Sequence, residues 1–196
     1  VMTVRELARL IRLYGVDVSN VAPEPFDEPL SGYSSSASLT EVSGGFAEAV
    51  GRLFWFMKTG READRQMFRK LRMNGSFREV SISTGEEDIN IAVVDGLTGL
   101  EKLRKEQSDG VKFDLIEVMT CPGGCINGAG LPFSSGRDEK KSRMKAIYLA
   151  DDTDAINVPS KSPVLINIYE KMISDNMEIS DRKIFHTHFE KRDVLL

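Results

Sequence analysis

The sequence predicts an α/β fold, in which helices flank a small parallel sheet and the C-terminal part is helical. Two apolar runs, N-I-A-V-V-D at residues 90–95 and F-D-L-I-E-V at residues 113–118, have the composition of buried strands. The stretch between them, about residues 97–107, has the pattern of a helix. A strand, a helix and a second strand in this order predict a right-handed parallel crossover.

Upstream of this unit, two helices are predicted on either side of an irregular loop. The first spans residues 3–14, where Thr3 and Glu6 form a capping box and Gly15 ends the helix. Its apolar face contains Val4, Leu7, Leu10, Ile11 and Tyr14. Residues 21–38 contain three prolines and many serines, which predicts a loop. The second helix begins near Ser43 or Gly44 and ends at Gly60.

The remaining segments complete a predicted single domain over residues 1–196. A weaker strand covers residues 77–83, and helices are predicted from about Arg137, from Pro163 after a Ser162 cap, and over residues 180–185. The pattern of the first of these helices uses Met144, Ile147, Tyr148 and Asp151, and the inner face of the second contains Leu165, Ile168, Tyr169 and Met172. Residues 1–60 thus hold helices and the Pro/Ser-rich loop, 76–132 the α/β core, and 137–190 a helical part. The charged stretches 61–72 and 137–143 are expected to be solvated.

Composition excludes several classes of protein. Hydrophobic residues make up 41% and charged residues 29% of the chain, as in ordinary globular proteins. The net charge of −4 gives no indication of a nucleic-acid partner. Because no apolar run approaches about 18 residues, no membrane span is expected. Two cysteines and no signal-like start predict a cytoplasmic protein.

The candidate site is a glycine-rich loop that follows the second strand and holds both cysteines, Cys121 and Cys125. The C-x-x-x-C spacing alone leaves four interpretations open: structural thiols, a local disulfide, zinc with His186 and His188, or an iron–sulfur site. Glycines let a backbone approach inorganic sulfide closely and donate hydrogen bonds to it. The loop contains four of them: Gly123, Gly124, Gly128 and Gly130.

Residues 117–132, E-V-M-T-C-P-G-G-C-I-N-G-A-G-L-P, resemble the third cluster-binding motif of the [FeFe]-hydrogenases, E-x-M-x-C-P-G-G-C-x-x-G-G-G-Q-P. Other segments resemble the same family, namely T-V-R-E-L-A near the start, P-E-P-F-D-E-P-L-S at 23–31, V-S-G-G-F-A-E-A-V-G-R at 42–52, M-K-A-I-Y-L-A-D at 144–151 and F-H-T-H-F at 185–189. The resemblance covers nearly the whole chain.

The resemblance implies that the chain is one lobe of the two-lobed hydrogenase catalytic domain, with the H-cluster between the lobes. Cys121 would then bind the [4Fe–4S] cubane, and Cys125 would bind it and bridge to the two-iron subcluster. Met119 would contact the two-iron unit, and Gly123 and Gly124 would lie against the cluster. The other ligands would come from an N-terminal lobe that precedes these residues. Further implied partners are ferredoxin or another electron carrier, H2 and protons.

The sequence also departs from the family pattern. The family's F-G-x-T-G-G is replaced by T-E-V-S-G-G, so Thr40 and Glu41 would lie beside the cluster. Leu131 replaces a glutamine, and S-K-S-P at 160–163 replaces S-H-x-N-P. These changes suggest a divergent member, and the chain alone is not expected to be an active enzyme. Three alternatives stay open: a hydrogen-sensing or regulatory paralogue, an iron–sulfur assembly relative, and a non-catalytic structural lobe that dimerises through its exposed face.

Overall fold

A computed structural model describes residues 1–25, 27, 34–132 and 137–174. The predicted helix at 180–185, together with His186 and His188, lies outside the described residues, as does part of the Pro/Ser-rich loop. The described elements are α1 (Val4–Leu13), α2 (Ser35–Leu39), α3 (Gly45–Thr59), β1 (Phe77–Ser83), β2 (Asp88–Asp95), α4 (Leu100–Ser108), β3 (Leu115–Met119), α5 (Arg137–Thr153) and α6 (Pro163–Ser174). Short 3-10 turns at Arg65–Phe68, Cys125–Asn127 and elsewhere connect them.

The sheet has the order β1-β2-β3 and is mixed rather than wholly parallel. β2 and β3 pair in parallel from Ile91–Leu115 to Asp95–Met119, as the strand–helix–strand pattern predicted, and α4 makes the crossover. β1 pairs with β2 in antiparallel orientation, with Ser83 opposite Asp88. The four residues between them form a tight turn, in which the Thr84 N–H donates to the Glu87 carbonyl at 2.9 Å. A connection this short permits a hairpin but no parallel crossover.

Helix α3 packs on one face of the sheet, and the main core lies between them. Ala47, Phe68, Leu71, Ile82, Ile91 and Val93 are at most 1% exposed and contact one another. Gly51 on α3 permits this close packing, because a Cβ there would lie 2.5 Å from the Phe68 ring and 3.0 Å from Ile82. On the opposite face, α4 covers β2 with Leu103. The core thus fixes α3 and the carboxyl ends of β2 and β3 relative to each other.

Helix α1 has the predicted capping box but no buried residue. The Thr3 N–H donates to Glu6 at 2.7 Å, and the Glu6 N–H donates to the Thr3 hydroxyl at 3.3 Å. Its predicted apolar face is largely exposed, with Val4, Leu7 and Leu10 between 36% and 50% accessible. The start of α1 lies against the segment after the cysteine loop, where the Arg5 N–H donates to the Gly130 carbonyl at 3.2 Å.

Helix α6 begins at Pro163, as predicted, and the Ile166 N–H donates to the Ser162 carbonyl at 3.1 Å. The predicted inner face is not buried, since Leu165, Ile168 and Tyr169 are 38–41% exposed. Instead α2, α3 and α6 enclose an apolar groove of about 450 Å³, whose walls include Phe46, Val50, Leu53, Val164, Leu165 and Ile168. Among the described helices, none has the length and apolar character needed to cross a membrane.

A buried ion-pair network connects α5 to the rest of the fold. Asp151 on α5 is fully buried and accepts hydrogen bonds from Arg52 at 2.7–2.8 Å, from Arg72 at 2.8 Å and from the Ser35 hydroxyl at 2.6 Å. Glu48 on α3, also fully buried, binds the same two arginines. Two carboxylates and two guanidiniums therefore balance their charges inside the protein, as buried ions require.

Candidate functional site

The cysteine loop leaves the carboxyl end of β3, the edge where open α/β sheets place their sites. Cys121 and Cys125 are both free thiols, and both are exposed. The loop folds on itself through the Gly124 N–H, which donates to the Cys121 carbonyl at 2.9 Å, and the Gly128 N–H, which donates to the Cys125 carbonyl at 3.0 Å. Both thiols therefore stand on an ordered turn and face solvent in this chain.

The two glycines between the cysteines are required by the backbone. Gly123 and Gly124 have φ of +93° and +86°, which side-chain-bearing residues rarely adopt. A Cβ on Gly124 would lie 2.7 Å from the Glu41 carbonyl oxygen, and one on Gly123 would lie 2.1 Å from Lys140 Cε. Both glycines are buried against protein atoms. Their predicted contact with a cluster stays a prediction.

A second loop, residues 40–44 between α2 and α3, lies directly against the cysteine loop. The Ser43 N–H donates to the Gly123 carbonyl at 3.1 Å, and the Ile126 N–H donates to the Glu41 carbonyl at 3.2 Å. The structure therefore brings the backbone of Glu41 to the cysteine loop. The Glu41 side chain is exposed, and the Thr40 hydroxyl donates to the Ala37 carbonyl at 2.6 Å.

Met119 is the last residue of β3 and is half-buried. Its carbonyl accepts a hydrogen bond from the Gly96 N–H at 2.7 Å, which ties the end of β3 to the end of β2. The predicted site residues thus share one edge of the sheet. The roles of the Met119, Thr40 and Glu41 side chains toward a cluster stay predictions.

Two carboxylates that the sequence analysis did not select hold this arrangement together. Glu117 on β3 is 6% exposed and accepts from the Gly44 N–H at 2.6 Å and the Ala47 N–H at 2.8 Å. It therefore caps the N-terminus of α3, where backbone donors lack helical partners and the helix dipole favours negative charge. Asp95, the last residue of β2, accepts from the Gly123 N–H. The sequence did contain a signal for both residues: Glu117 is an acidic residue inside an apolar strand, and Asp95 is an acidic residue at the end of one.

Two arginines hold the same loops from the other side. Arg78 on β1 is 9% exposed and donates to the Ser43 hydroxyl at 2.6 Å and the Ser43 carbonyl at 3.2 Å. Burial lowers the pKa of the Arg78 guanidinium, and the nearby charges of Asp95 and Glu117 oppose this shift. Arg143 on α5 donates to the Ile126 carbonyl at 2.9 Å. The cysteine loop is therefore fixed by β2, α5 and the 40–44 loop, and β1 in turn holds the 40–44 loop through Arg78.

The donor set of the loop fits part of an iron–sulfur cluster. Within residues 1–25, 27, 34–132 and 137–174, no group of three or more His, Cys, Asp or Glu side chains is placed to hold a metal ion. The loop thus offers two thiols, whereas a cubane needs about four ligands. Thiolate is the ligand such clusters use, and both thiols are accessible to one.

Sequence comparisons identify two regions. A profile described as "Iron only hydrogenase large subunit, C-terminal domain" matches residues 1–129, and one described as "Iron hydrogenase small subunit" matches residues 137–192. The HndD subunit of the NADP-reducing hydrogenase of Solidesulfovibrio fructosivorans is 32% identical to this chain. The match covers the whole of this chain and 34% of the HndD subunit. Protein NAR1 of Arabidopsis thaliana is 27% identical over 96% of this chain and 41% of its own length. Cytosolic iron-sulfur assembly component 3 of Mus musculus is 27% identical to this chain, and the match covers 96% of this chain and 40% of that protein.

Solved structures show the same fold. A variant of the [FeFe]-hydrogenase HydA1 from Chlamydomonas reinhardtii superimposes with a TM-score of 0.70 at 21% identity, covering 94% of this chain and 53% of that one. The chain spans about a third to two fifths of these curated relatives and about half of the solved hydrogenase. Because the large-subunit profile covers most of the sequence and includes the cysteine loop, the chain belongs to the family of C-terminal domains of iron-only hydrogenase large subunits.

Proposed function

We propose that this chain is the part of an [FeFe]-hydrogenase-like protein that supplies Cys121 and Cys125 to an H-cluster. The observation that carries the proposal is the pair of exposed free thiols on a loop that β2, α5 and the 40–44 loop hold in place. Cys121 and Cys125 would both bind the [4Fe–4S] cubane, and Cys125 would bridge to the two-iron subcluster. When bound, the H-cluster supplies reversible oxidation of H2 and reduction of protons.

The chain's own residues would hold and orient these ligands. Ser43 and Glu41 fix the loop backbone through their hydrogen bonds to Gly123 and Ile126, and Glu117 fixes the 40–44 loop to β3. Preorganised ligands lose little freedom when they bind a cluster. Met119, Thr40 and Glu41 would line the side of the site that faces the two-iron unit. We propose that Gly123 and Gly124 let the backbone approach the inorganic sulfides.

The other ligands would come from an N-terminal hydrogenase lobe, since the relatives are two to three times longer than this chain. The apolar face of α1 and the apolar groove between α2, α3 and α6 are exposed here and are suited to contact such a lobe. Without that lobe, these surfaces would favour a dimer of this chain. Ferredoxin or another carrier would supply electrons to the complete protein.

Anaerobic reconstitution with iron and sulfide tests the proposal. The chain should bind substoichiometric iron alone and about four irons per protein when mixed with a polypeptide that carries the preceding region of the HndD relative. Cys121→Ser and Cys125→Ser should each lower the iron and acid-labile sulfide content, whereas Thr120→Ser, an exposed neighbour, should not. Equal iron content in the parent chain, the two cysteine variants and Thr120→Ser would refute the assignment of Cys121 and Cys125 as ligands.

A second candidate function, iron–sulfur assembly, is supported by the NAR1 and assembly-component relatives, which match almost the whole chain. A protein of that kind would hold a cluster without hydrogen chemistry. Hydrogen uptake by the complete protein, isolated anaerobically from cells that express the native gene so that the two-iron unit can be present, separates the two functions. Uptake supports the hydrogenase, and an iron–sulfur cluster without uptake supports assembly. Glu41→Gly should raise uptake if the protein is a sensing or regulatory paralogue that lost turnover at this position.

We further propose a cytoplasmic location. Two free cysteines are typical of a reducing compartment, and the assembly relative from Mus musculus is named as cytosolic. A hydrogenase large subunit from Nitratidesulfovibrio vulgaris, 32% identical over 72% of this chain, is named as periplasmic. Fractionation of cells that express the native gene decides between these compartments.

A further inference from the structure

A second polar site adjoins the buried ion-pair network, with which it shares Arg72, and none of its lining residues belongs to the cysteine loop. It is a pocket of about 440 Å³ lined by Arg65, Gln66, Arg69, Arg72 and Asp152, which we call the arginine pocket. Glu48 and Asp151 already balance Arg72 together with Arg52. Arg65 and Arg69 against Asp152 leave a formal excess of +1 at the pocket, although the whole chain carries −4. We propose that this pocket binds the phosphoryl group of a small phosphorylated molecule.

The arginines are presented by a turn that the core holds firmly. Arg65 begins the 3-10 turn Arg65–Phe68, Arg69 and Arg72 follow it in the next turns, and all three side chains line the pocket. Phe68 and Leu71 on the other side are fully buried in the main core. The segment 61–72 is therefore more than the solvated charge run that the sequence predicted, because its basic side is a fixed surface.

Arg72 is preorganised by the buried network. Its Nε and one terminal nitrogen bind Glu48 and Asp151 at 2.7–2.8 Å, and its guanidinium carbon lies 4.5 Å from the Tyr148 ring centre. The other terminal nitrogen, which is 3.8 Å from Asp152, forms no short hydrogen bond there and faces the pocket region. A fixed guanidinium loses little side-chain entropy when a ligand binds.

Arg65 and Arg69 supply further donors. Arg65 donates to the Asp151 carbonyl at 2.8 Å, but its Nε–H is buried without a hydrogen-bond acceptor among the described residues. The nearest carboxylate oxygens, on Asp151 and Asp152, are 3.7 and 3.6 Å away. Arg69 is exposed and forms no ion pair within the described part of the chain. The buried Nε–H is out of reach of a ligand in the pocket, so the donors that face a ligand are those of Arg69 and of the exposed part of Arg65.

The arrangement fits a phosphoryl group better than a carboxylate. Three guanidiniums approach the pocket from different positions, and tetrahedral phosphate offers acceptor oxygens in several directions. A planar carboxylate matches the fork of a single arginine. The pocket volume is in the range of small-molecule sites. Free phosphate and the phosphates of a nucleotide share this chemistry, so the test must distinguish them.

Isothermal titration of the whole chain with inorganic phosphate, pyrophosphate and ADP, at constant ionic strength, tests the proposal. We expect saturable one-to-one binding by at least one of the three. Tighter binding of ADP than of pyrophosphate would identify a nucleotide, and the reverse order a free phosphate compound. Binding of a polyglutamate peptide more tightly than all three would overturn the proposal in favour of an acidic protein partner.

Variants locate the binding site. Arg69→Ala should weaken binding about tenfold, or about 1.4 kcal/mol, because it removes a charge-assisted hydrogen bond. Arg69→Lys keeps the charge but not the planar fork and should give an intermediate loss. Arg61→Ala removes the same charge from the same exposed stretch, outside the pocket, and should have no effect. No saturable binding, or equal weakening by Arg61→Ala and Arg69→Ala, would overturn the proposal.

Discussion

Glu117 is buried on β3, and its hydrogen bonds to the start of α3 should make a large contribution to the unfolding free energy. Glu117→Ala would leave the N–H groups of Gly44 and Ala47 buried without acceptors, which should cost about 2–4 kcal/mol of unfolding free energy. Glu117→Gln keeps one acceptor oxygen and should cost about half as much. Urea denaturation measures both. Glu79→Ala on the exposed face of β1 is the control, and a loss there as large as that of Glu117→Ala would contradict the explanation.

Gly124 allows a separate test of the contact between the two loops. Gly124→Ala must adopt a φ of +86° and place its Cβ 2.7 Å from the Glu41 carbonyl oxygen. Gly110 has a φ of +90° with nothing within 4 Å of its Cβ position, so Gly110→Ala measures the backbone cost alone. Gly124→Ala should be more destabilising by about 1–3 kcal/mol, the usual cost of overpacking. Equal urea midpoints for Gly124→Ala and Gly110→Ala would mean that the cysteine loop and the 40–44 loop can move apart without loss of stability.

At this scale the sequence located the cysteines but not the residues that hold them. Cys121 and Cys125 were predicted from a continuous motif. Glu117 accepts from residues 70 and 73 positions away, and Asp95 accepts from a residue 28 positions away, so no local spacing could reveal either role. Asp95 and Glu117 become recognisable only when the parallel pairing of β2 and β3 is known.

Among the secondary-structure elements, α5 shows why its packing could not be predicted from its apolar pattern. Met144, Ile147, Tyr148 and Asp151 predicted the helix correctly, but the fully buried member of this set is the charged one, Asp151, and the apolar members are half-buried. Its arginine partners are 99 and 79 positions away. In contrast, the starts of α1 and α6 depend on local caps and were predicted from the sequence. The antiparallel pairing of β1 was overlooked although its four-residue turn requires it.

The attachment of α5 should therefore depend on Asp151 rather than on its neighbour. Asp151→Asn would leave Arg52 and Arg72 with excess positive charge in a buried site and should cost about 3–5 kcal/mol. Asp152→Asn, half exposed, should change the unfolding free energy by less than about 1 kcal/mol. Chemical denaturation at pH 7 compares them. Similar losses would show that the buried network does not determine how α5 is held.

The pH dependence gives a second measurement of the same network. Burial alone would raise the pKa of the Asp151 carboxyl, but hydrogen bonds from Arg52 and Ser35, with the Arg52 charge, hold it well below its usual range. Because the folded pKa is depressed, the stabilisation is complete above the unfolded pKa of about 3.9 and is lost as pH falls toward the folded value. The decline in stability below about pH 4 should be shallower in Asp151→Asn than in the parent chain.

At the scale of the whole molecule, the chain combines two regions that match separate hydrogenase profiles. Residues 1–129 match the C-terminal domain of the large subunit, and residues 137–192 match the small subunit. The hydrogen bonds between them include buried ones: Asp151 with Arg52 and Arg72, the Ser35 N–H to the Ile156 carbonyl at 2.8 Å, and Arg52 to the Asn157 carbonyl at 3.3 Å. Buried ion pairs and hydrogen bonds therefore join the two regions, in addition to the apolar side chains that line the groove between α2, α3 and α6.

We therefore expect the two regions to stay associated after the chain between them is cut. Replacing residues 133–136 with a specific protease site allows the folded protein to be cleaved there, and both fragments should elute together in size-exclusion chromatography. The association should survive high salt, because buried ion pairs are screened much less than surface ones. The same cut in Asp151→Asn should release the C-terminal fragment, whereas Asp152→Asn should retain it. Separation of the fragments in the parent protein would show that the covalent connection, and not the network, holds the regions together.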